Sequence, residues 1–91
     1  MRIRVTPSAH RELMETLVRL RDRDREEAYR FVLALEDRLR EVAEGTEAAP
    51  EMGPVWRSAG ATGGHRLYVR ERKDALWLLA VWPEEKGRMR L

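Results

Sequence analysis

The stretch Gly64 to Trp82, GHRLYVRERKDALWLLAVW, most narrows what this chain can become. It reads as two β-strands joined by a charged turn at Lys73 and Asp74. In the first, His65 to Arg70, the apolar residues Leu67 and Val69 alternate with Arg66, Tyr68 and Arg70. The second, Ala75 to Trp82, is apolar throughout, as a strand covered on both faces or nearly so requires. Residues two apart on a strand share a face, so Arg66, Tyr68 and Arg70 line up together. A cationic, aromatic row on a rigid element suits phosphate, RNA or an acidic partner protein. The plainer alternative is a solvated strand face, with the Tyr68 ring lying on the sheet and its hydroxyl in water.

The rest of the chain supplies elements for that hairpin to join. Arg2 to Thr6 alternates Ile3 and Val5 with polar neighbours, which predicts a short strand with one buried face. Thr6 can cap a helix with Pro7 at its first position. Ala9, Leu13, Met14, Leu17, Val18 and Leu20 then recur at helical spacing, predicting a helix from about Ser8 to Arg21. The run Arg21 to Glu26 has no apolar residue and breaks that face, and Asp24 with Glu27 resembles a capping box. A second helix is predicted from about Arg25 to Glu44, with Ala28, Phe31, Val32, Leu35, Leu39 and Val42 as its stripe. Gly45 ends it in a left-handed turn. Two amphipathic helices with a short connection should pair as an antiparallel hairpin.

Thr46 to Pro54 is a loop by composition, Val55 to Ala59 a short strand, and Gly60 to Gly64 a connection. Pro83 stops the last strand. The order is β-α-α-β-β-β, an α+β fold. Its last three strands form an antiparallel meander, because their links are too short for crossovers. The expectation is a helical hairpin packed on one face of a mostly antiparallel four-stranded sheet. Residues 1–91 form one domain, with 83–91 an irregular tail, and the other face of the sheet is left open for binding.

Ninety-one residues bury a thin core, roughly 60–65% of the unfolded surface. No apolar run approaches the ~20 residues of a membrane span, and the N-terminal stretch lacks the apolar block of a signal peptide. Absence of cysteine excludes disulfides and thiolate metal sites, so a cytoplasmic location is the default expectation. The formal net charge is only +2, so any nucleic-acid reading must rest on a local patch. Sixteen arginines stand against two lysines, Lys73 and Lys86. A GC-rich coding sequence explains such a bias, so each arginine is argued by position. Arginine forks grip carboxylate and phosphate where lysine offers a point charge.

His65 is a candidate acid or base near neutral pH, although no carboxylate lies near it in sequence to orient it. His10 reads as a surface residue, and two histidines so far apart give no metal signal. Trp77 and Trp82 differ by five positions, which on a regular strand puts them on opposite faces. An exposed tryptophan there would mark a docking site.

The ordered set resembles the RelE/ParE superfamily, the small toxins of type II toxin–antitoxin modules linked to plasmid stabilisation. The residues carrying the resemblance are the Pro7-Ser8-Ala9 helix opening with Leu13, then YRFVLALEDRLREVAEG, Pro50 and Gly53. The strongest piece is HRLYVRERKDALWLLAVW. In the RelE branch the resemblance implies a ribosome-dependent mRNA endonuclease. There the 2′-hydroxyl attacks, basic side chains hold the phosphate, and a general acid or base stands close by. In the ParE branch it implies a poison of DNA gyrase. Both branches imply a cognate antitoxin and no cofactor or metal.

Arg66 matches the strand arginine that family nucleases place on phosphate, and Arg57 lies near their basic positions on the preceding strand. After the last strand those nucleases carry His or Gly and then basic residues. This chain has Pro83, Glu84 and Glu85, with Lys86 and Arg88 arriving late, and carboxylates oppose negative charge developing on phosphate. The ParE-like branch therefore fits better, with Arg66, Arg70, Tyr68, Lys86 and Arg88 as target- or phosphate-binding residues. The alternatives are a RelE-like nuclease using Arg66, Arg57 and Tyr68, assisted by His65 or Lys86, or a diverged non-toxic interaction module of the same fold, with a homodimer as one form of it. Whether the protein is an enzyme, and whether its target is gyrase or ribosome, stays open.

Overall fold

The apolar strand foreseen from Ala75 runs to Pro83 and lies inside the sheet rather than at its edge. The computed structural model describes residues 2–45, 51–52 and 56–87, with side chains at 2–45 and 63–87. Its elements are β1 (Arg2–Val5), α1 (Pro7–Arg23), α2 (Arg25–Ala43), β2 (Glu51–Met52), β3 (Trp56–Thr62), β4 (His65–Arg72) and β5 (Ala75–Pro83). The architecture is α+β, with two helices and a mixed sheet ordered β1-β5-β4-β3-β2.

β3, β4 and β5 pair antiparallel as the short links demand, and β1 pairs parallel with β5. The sheet has five strands rather than the expected four. The addition is the two-residue β2, which pairs with β3 inside what composition marked as loop. Residues 46–50, 53–55 and 88–91, which hold the rest of that loop, the first residue of the strand expected from Val55 and the end of the tail, lie outside the described residues. Expected as a connection, Gly60 to Thr62 instead extends β3, and the turn narrows to Gly63-Gly64.

Thr6 accepts from the Ala9 amide at 3.1 Å, and Pro7 opens α1, as the sequence foretold. The helix runs two residues past Arg21, and Asp24 alone connects it to α2. Asp24 is extended, and its carboxylate accepts from the Glu26 amide at 2.9 Å. The expected capping box with Glu27 is not made: the Asp24 amide donates to the Leu20 carbonyl at 2.8 Å, and Glu27 pairs with Arg23 at 2.8 Å. Gly45 takes the left-handed conformation that ends α2, with φ of 74°.

One cluster ties these layers together. Ala9 and Leu20 of α1 meet Phe31, Leu35, Leu39 and Val42 of α2. Leu67, Val69, Leu76, Leu78 and Val81 of the sheet complete the cluster. Beyond Val5 the chain turns away as α1, and β5 loses its strand neighbour on that side. Side chains of α1 and its cap replace it: Thr6 Oγ1 donates to the Leu79 carbonyl, and Glu12 accepts from the Val81 amide at 2.9 Å. Buried strand groups left without partners would each cost about 1–3 kcal/mol, so α1 completes the sheet chemically as well as covering it. Among the described residues no helix is long and apolar enough to cross a membrane.

Both turn glycines have positive φ, but only Gly63 is also crowded. A Cβ there would sit 2.5 Å from Phe31 Cδ2, whereas one on Gly64 would meet nothing within 4 Å. Gly64→Ala is therefore expected to cost about 1–2 kcal/mol, the left-handed penalty alone. Gly63→Ala should exceed it by a further 1–3 kcal/mol, roughly the cost of overpacking. Urea unfolding midpoints of the two variants check the order.

Candidate functional site

The face of the sheet turned from the helices is set by cross-strand pairing, since directly opposed residues share a face. Arg66 opposes Trp82, Tyr68 opposes Ala80, and Arg70 opposes Trp77. On the far side of β5, Arg4 pairs with Trp77, and Arg2 with Ala75. Arg66, Tyr68 and Arg70 do alternate with the core residues Leu67 and Val69, as the sequence implies.

The expected separation of Trp77 from Trp82 is overturned. The β4–β5 register slips between Tyr68 and Val69, so that Leu78 opposes Val69 while Ala80 opposes Tyr68. Leu79 is the extra residue, a bulge that inverts the alternation beyond it. Both tryptophans consequently share the face with the arginines, each half-buried.

Tyr68 also departs from expectation. Expected on a row facing phosphate, RNA or an acidic partner, or with its hydroxyl in water, it is instead 0% exposed and cannot receive a base. Along β4 it lies between Arg66 and Arg70 and opposite the small Ala80, with the Arg66–Trp82 pair on one side and the Arg70–Trp77 pair on the other. The ring thus anchors the centre of this face instead of presenting a surface.

His65 belongs to the other side of β4. Its ring meets Phe31 edge-on, with centroids 5.4 Å apart, and it is buried. Arg19 Nη2 lies 3.2 Å from Nε2, and the Gly63 carbonyl lies 3.0 Å from Nδ1. A guanidinium can only donate, so Nε2 accepts and Nδ1 carries the hydrogen given to Gly63. Both ring nitrogens are occupied in holding the hairpin turn to the helices, away from Arg66 and Arg70.

Two cationic regions remain on the face. At the Pro83 end, Arg66 is half-buried beside Trp82, and Lys86 Nζ stands 5.5 Å from the centroid of that indole. Residues Glu84–Lys86 form a 3₁₀ turn rather than an irregular tail, and Trp82 Nε1 donates to the Gly87 carbonyl at 2.9 Å. The turn thereby brings Lys86 back over the sheet. At the opposite end, a groove of about 810 Å³ is lined by Arg2, Arg4, Arg70, Arg72 and Lys73 around Trp77. Of the expected site residues the structure brings Arg66, Arg70 and Lys86 to one face. The backbone of Arg57 pairs with Val69, but its side chain and all of Arg88 fall outside the described residues.

The groove was missed because its second wall comes from β1. Arg2 and Arg4 occupy the polar positions of the Arg-Ile-Arg-Val alternation. That pattern shows a face, but not that β1 would lie beside β5. No group of three or more metal-ligating side chains occurs among the described residues.

A second surface lies on the helices. Met14, Val18 and Tyr29 are 40%, 47% and 66% exposed, and with Leu17, Ala28 and Val32 they line a shallow apolar groove between α1 and α2. No protein-family model matches the chain, and a search of the curated proteins finds no match.

These placements separate structural from binding side chains. Tyr68→Ala should lower stability by about 3–5 kcal/mol, as removal of a buried large aromatic does. Arg66→Gln, on the half-buried periphery, should cost under about 1.5 kcal/mol. Thermal denaturation of the two variants measures the difference.

Proposed function

We propose that this protein is the toxin of a type II toxin–antitoxin module, ParE-like, acting by binding a large target rather than by cleaving it. The proposed target is DNA gyrase, and a cognate antitoxin holds the toxin in check. The observation that carries this reading is the arginine-lined sheet face, where Arg66 and Arg70 surround a sealed Tyr68. Such a surface offers cations and aromatic edges for docking. Of the side chains expected to assist there, Tyr68 is buried and His65 is engaged on the opposite side, which leaves neither to move a proton beside Arg66. The resemblance in element order, in the helix-two segment and in the hairpin sequence supplies the toxin assignment. The apolar groove on the helices suits an amphipathic antitoxin helix.

Induced expression without a partner is expected to arrest growth with gyrase-linked DNA damage. The double charge reversal Arg66→Glu/Arg70→Glu should abolish arrest while the protein still accumulates in folded form. Normal growth at high soluble wild-type expression would remove the proposal.

The second reading is a ribosome-dependent endonuclease of the RelE type. It is favoured by Lys86 and Arg66 flanking Trp82, two cations at one end of the face. It expects message to be cut when purified protein meets translating ribosomes, and the cutting to fall at least a hundred-fold in Arg66→Ala, the loss of one transition-state contact. Intact message would leave the binding mechanism standing. A non-toxic interaction module of the same fold is the outcome if neither growth nor message responds.

A further inference from the structure

We infer that the groove over Trp77 is a binding site for single-stranded nucleic acid, distinct from the Arg66–Trp82–Lys86 end of the sheet. The inference goes beyond the toxin reading and stands on the groove alone.

The groove has walls and a floor laid down by strand register. Arg2 and Arg4 rise from β1, Arg70 and Arg72 from β4, and between them β5 contributes Ala75, Trp77 and Leu79. Two rows cross the sheet, Arg4–Trp77–Arg70 and Arg2–Ala75–Arg72, so Trp77 and Ala75 are each flanked by an arginine on both sides. Lys73 stands at the turn end of the trough, and its backbone is held at φ of 56°. Asp74 is the one carboxylate among the described lining residues.

None of the five cations makes an ion pair among the described residues. Five positive groups against one negative, converging on a cavity of about 810 Å³, leave a field that calls for a polyanion. Arginine forks match phosphate oxygens.

The floor decides which polyanion. A half-buried indole in the groove lining with an arginine on each side gives a base something to stack on, which an acidic side chain cannot use. The width decides its strandedness. The rims are two strand spacings apart, roughly 9.6 Å between backbones, which admits one extended strand with its bases turned down. A duplex has its bases paired inward and could touch only the rim charges.

Anisotropy of a fluorescent short oligothymidylate and oligouridylate, titrated with the full chain over a range of salt, tests this and shows whether DNA or RNA is preferred. Binding should weaken with salt at a log–log slope of about −2 to −3, the release expected for three or four phosphate contacts to a single strand. Arg4→Gln/Arg72→Gln, which spares Arg66 and Arg70, should reduce affinity at least ten-fold and lessen the slope by about 1.4. Trp77→Leu, which keeps an apolar floor, should weaken binding about five- to hundred-fold, the loss of one stacked base, with little change in slope. Circular dichroism confirms that both variants fold.

Any of four results overturns the inference: no binding by the wild type, affinity unchanged in Arg4→Gln/Arg72→Gln, a blunt duplex bound as tightly as the single strand, or equal competition by an oligoglutamate peptide. The last would make the groove a carboxylate-peptide site. Absence of oligonucleotide binding leaves the growth phenotype of the wild type untouched, and normal growth on wild-type expression leaves this binding untouched; Arg70, which lines the groove and also belongs to the proposed target surface, is kept intact in both groove variants.

Discussion

The structure depends on β5 being paired along both of its edges. β4 supplies one edge throughout, β1 supplies the first part of the other, and α1 with its cap supplies the remainder through Thr6 and Glu12. An apolar strand can occupy that position only if its backbone groups are satisfied on each side and its side chains meet partners on each face. Leu76, Leu78 and Val81 meet the helices, while Trp77 and Trp82 hold the opposite face. The helical layer and the cationic layer are the two sides of one strand, and neither could be arranged without the other.

The bulge at Leu79 is what lets the two sides differ. Without it, strict alternation would send one tryptophan into the helix-packed core, where Val81 now sits. The extra residue restores a small aliphatic side to the core and gathers the bulky indoles on the arginine side. A single register slip therefore sets both the packing density of the core and the aromatic content of the binding face. The same slip leaves Ala80 opposite Tyr68, where a larger residue would compete with the phenol for space.

Much of this was legible in the residues. The two helices, the Thr6-Pro7 start, the Gly45 stop and the β4–β5 hairpin follow from periodicity and local chemistry, which act over a few residues. The sidedness of Arg66 and Arg70 was legible for the same reason. What could not be read required knowing a neighbour. The bulge arises from the fit of β5 against β4, so five positions looked like opposite faces. Tyr68 has the pattern of an exposed residue, and only the bulk beside it shows that it is buried. His65 gains its partners from Arg19 and Gly63, one of them forty-six positions away. The groove needs Arg2 and Arg4 beside a strand more than seventy positions later, a parallel pairing that no short-range signal encodes.

The carboxylate of Glu12 on the Val81 amide has a bearing on how this molecule can assemble. Exposed strand edges invite pairing by other chains. Here a helix side chain already holds a donor that an incoming strand would need, and Thr6 holds a neighbouring acceptor. That stretch of β5 is closed to intermolecular zippering, which among the described strands leaves the outer margins of β1 and β2, and of β3 past Arg57, as the places for strand exchange.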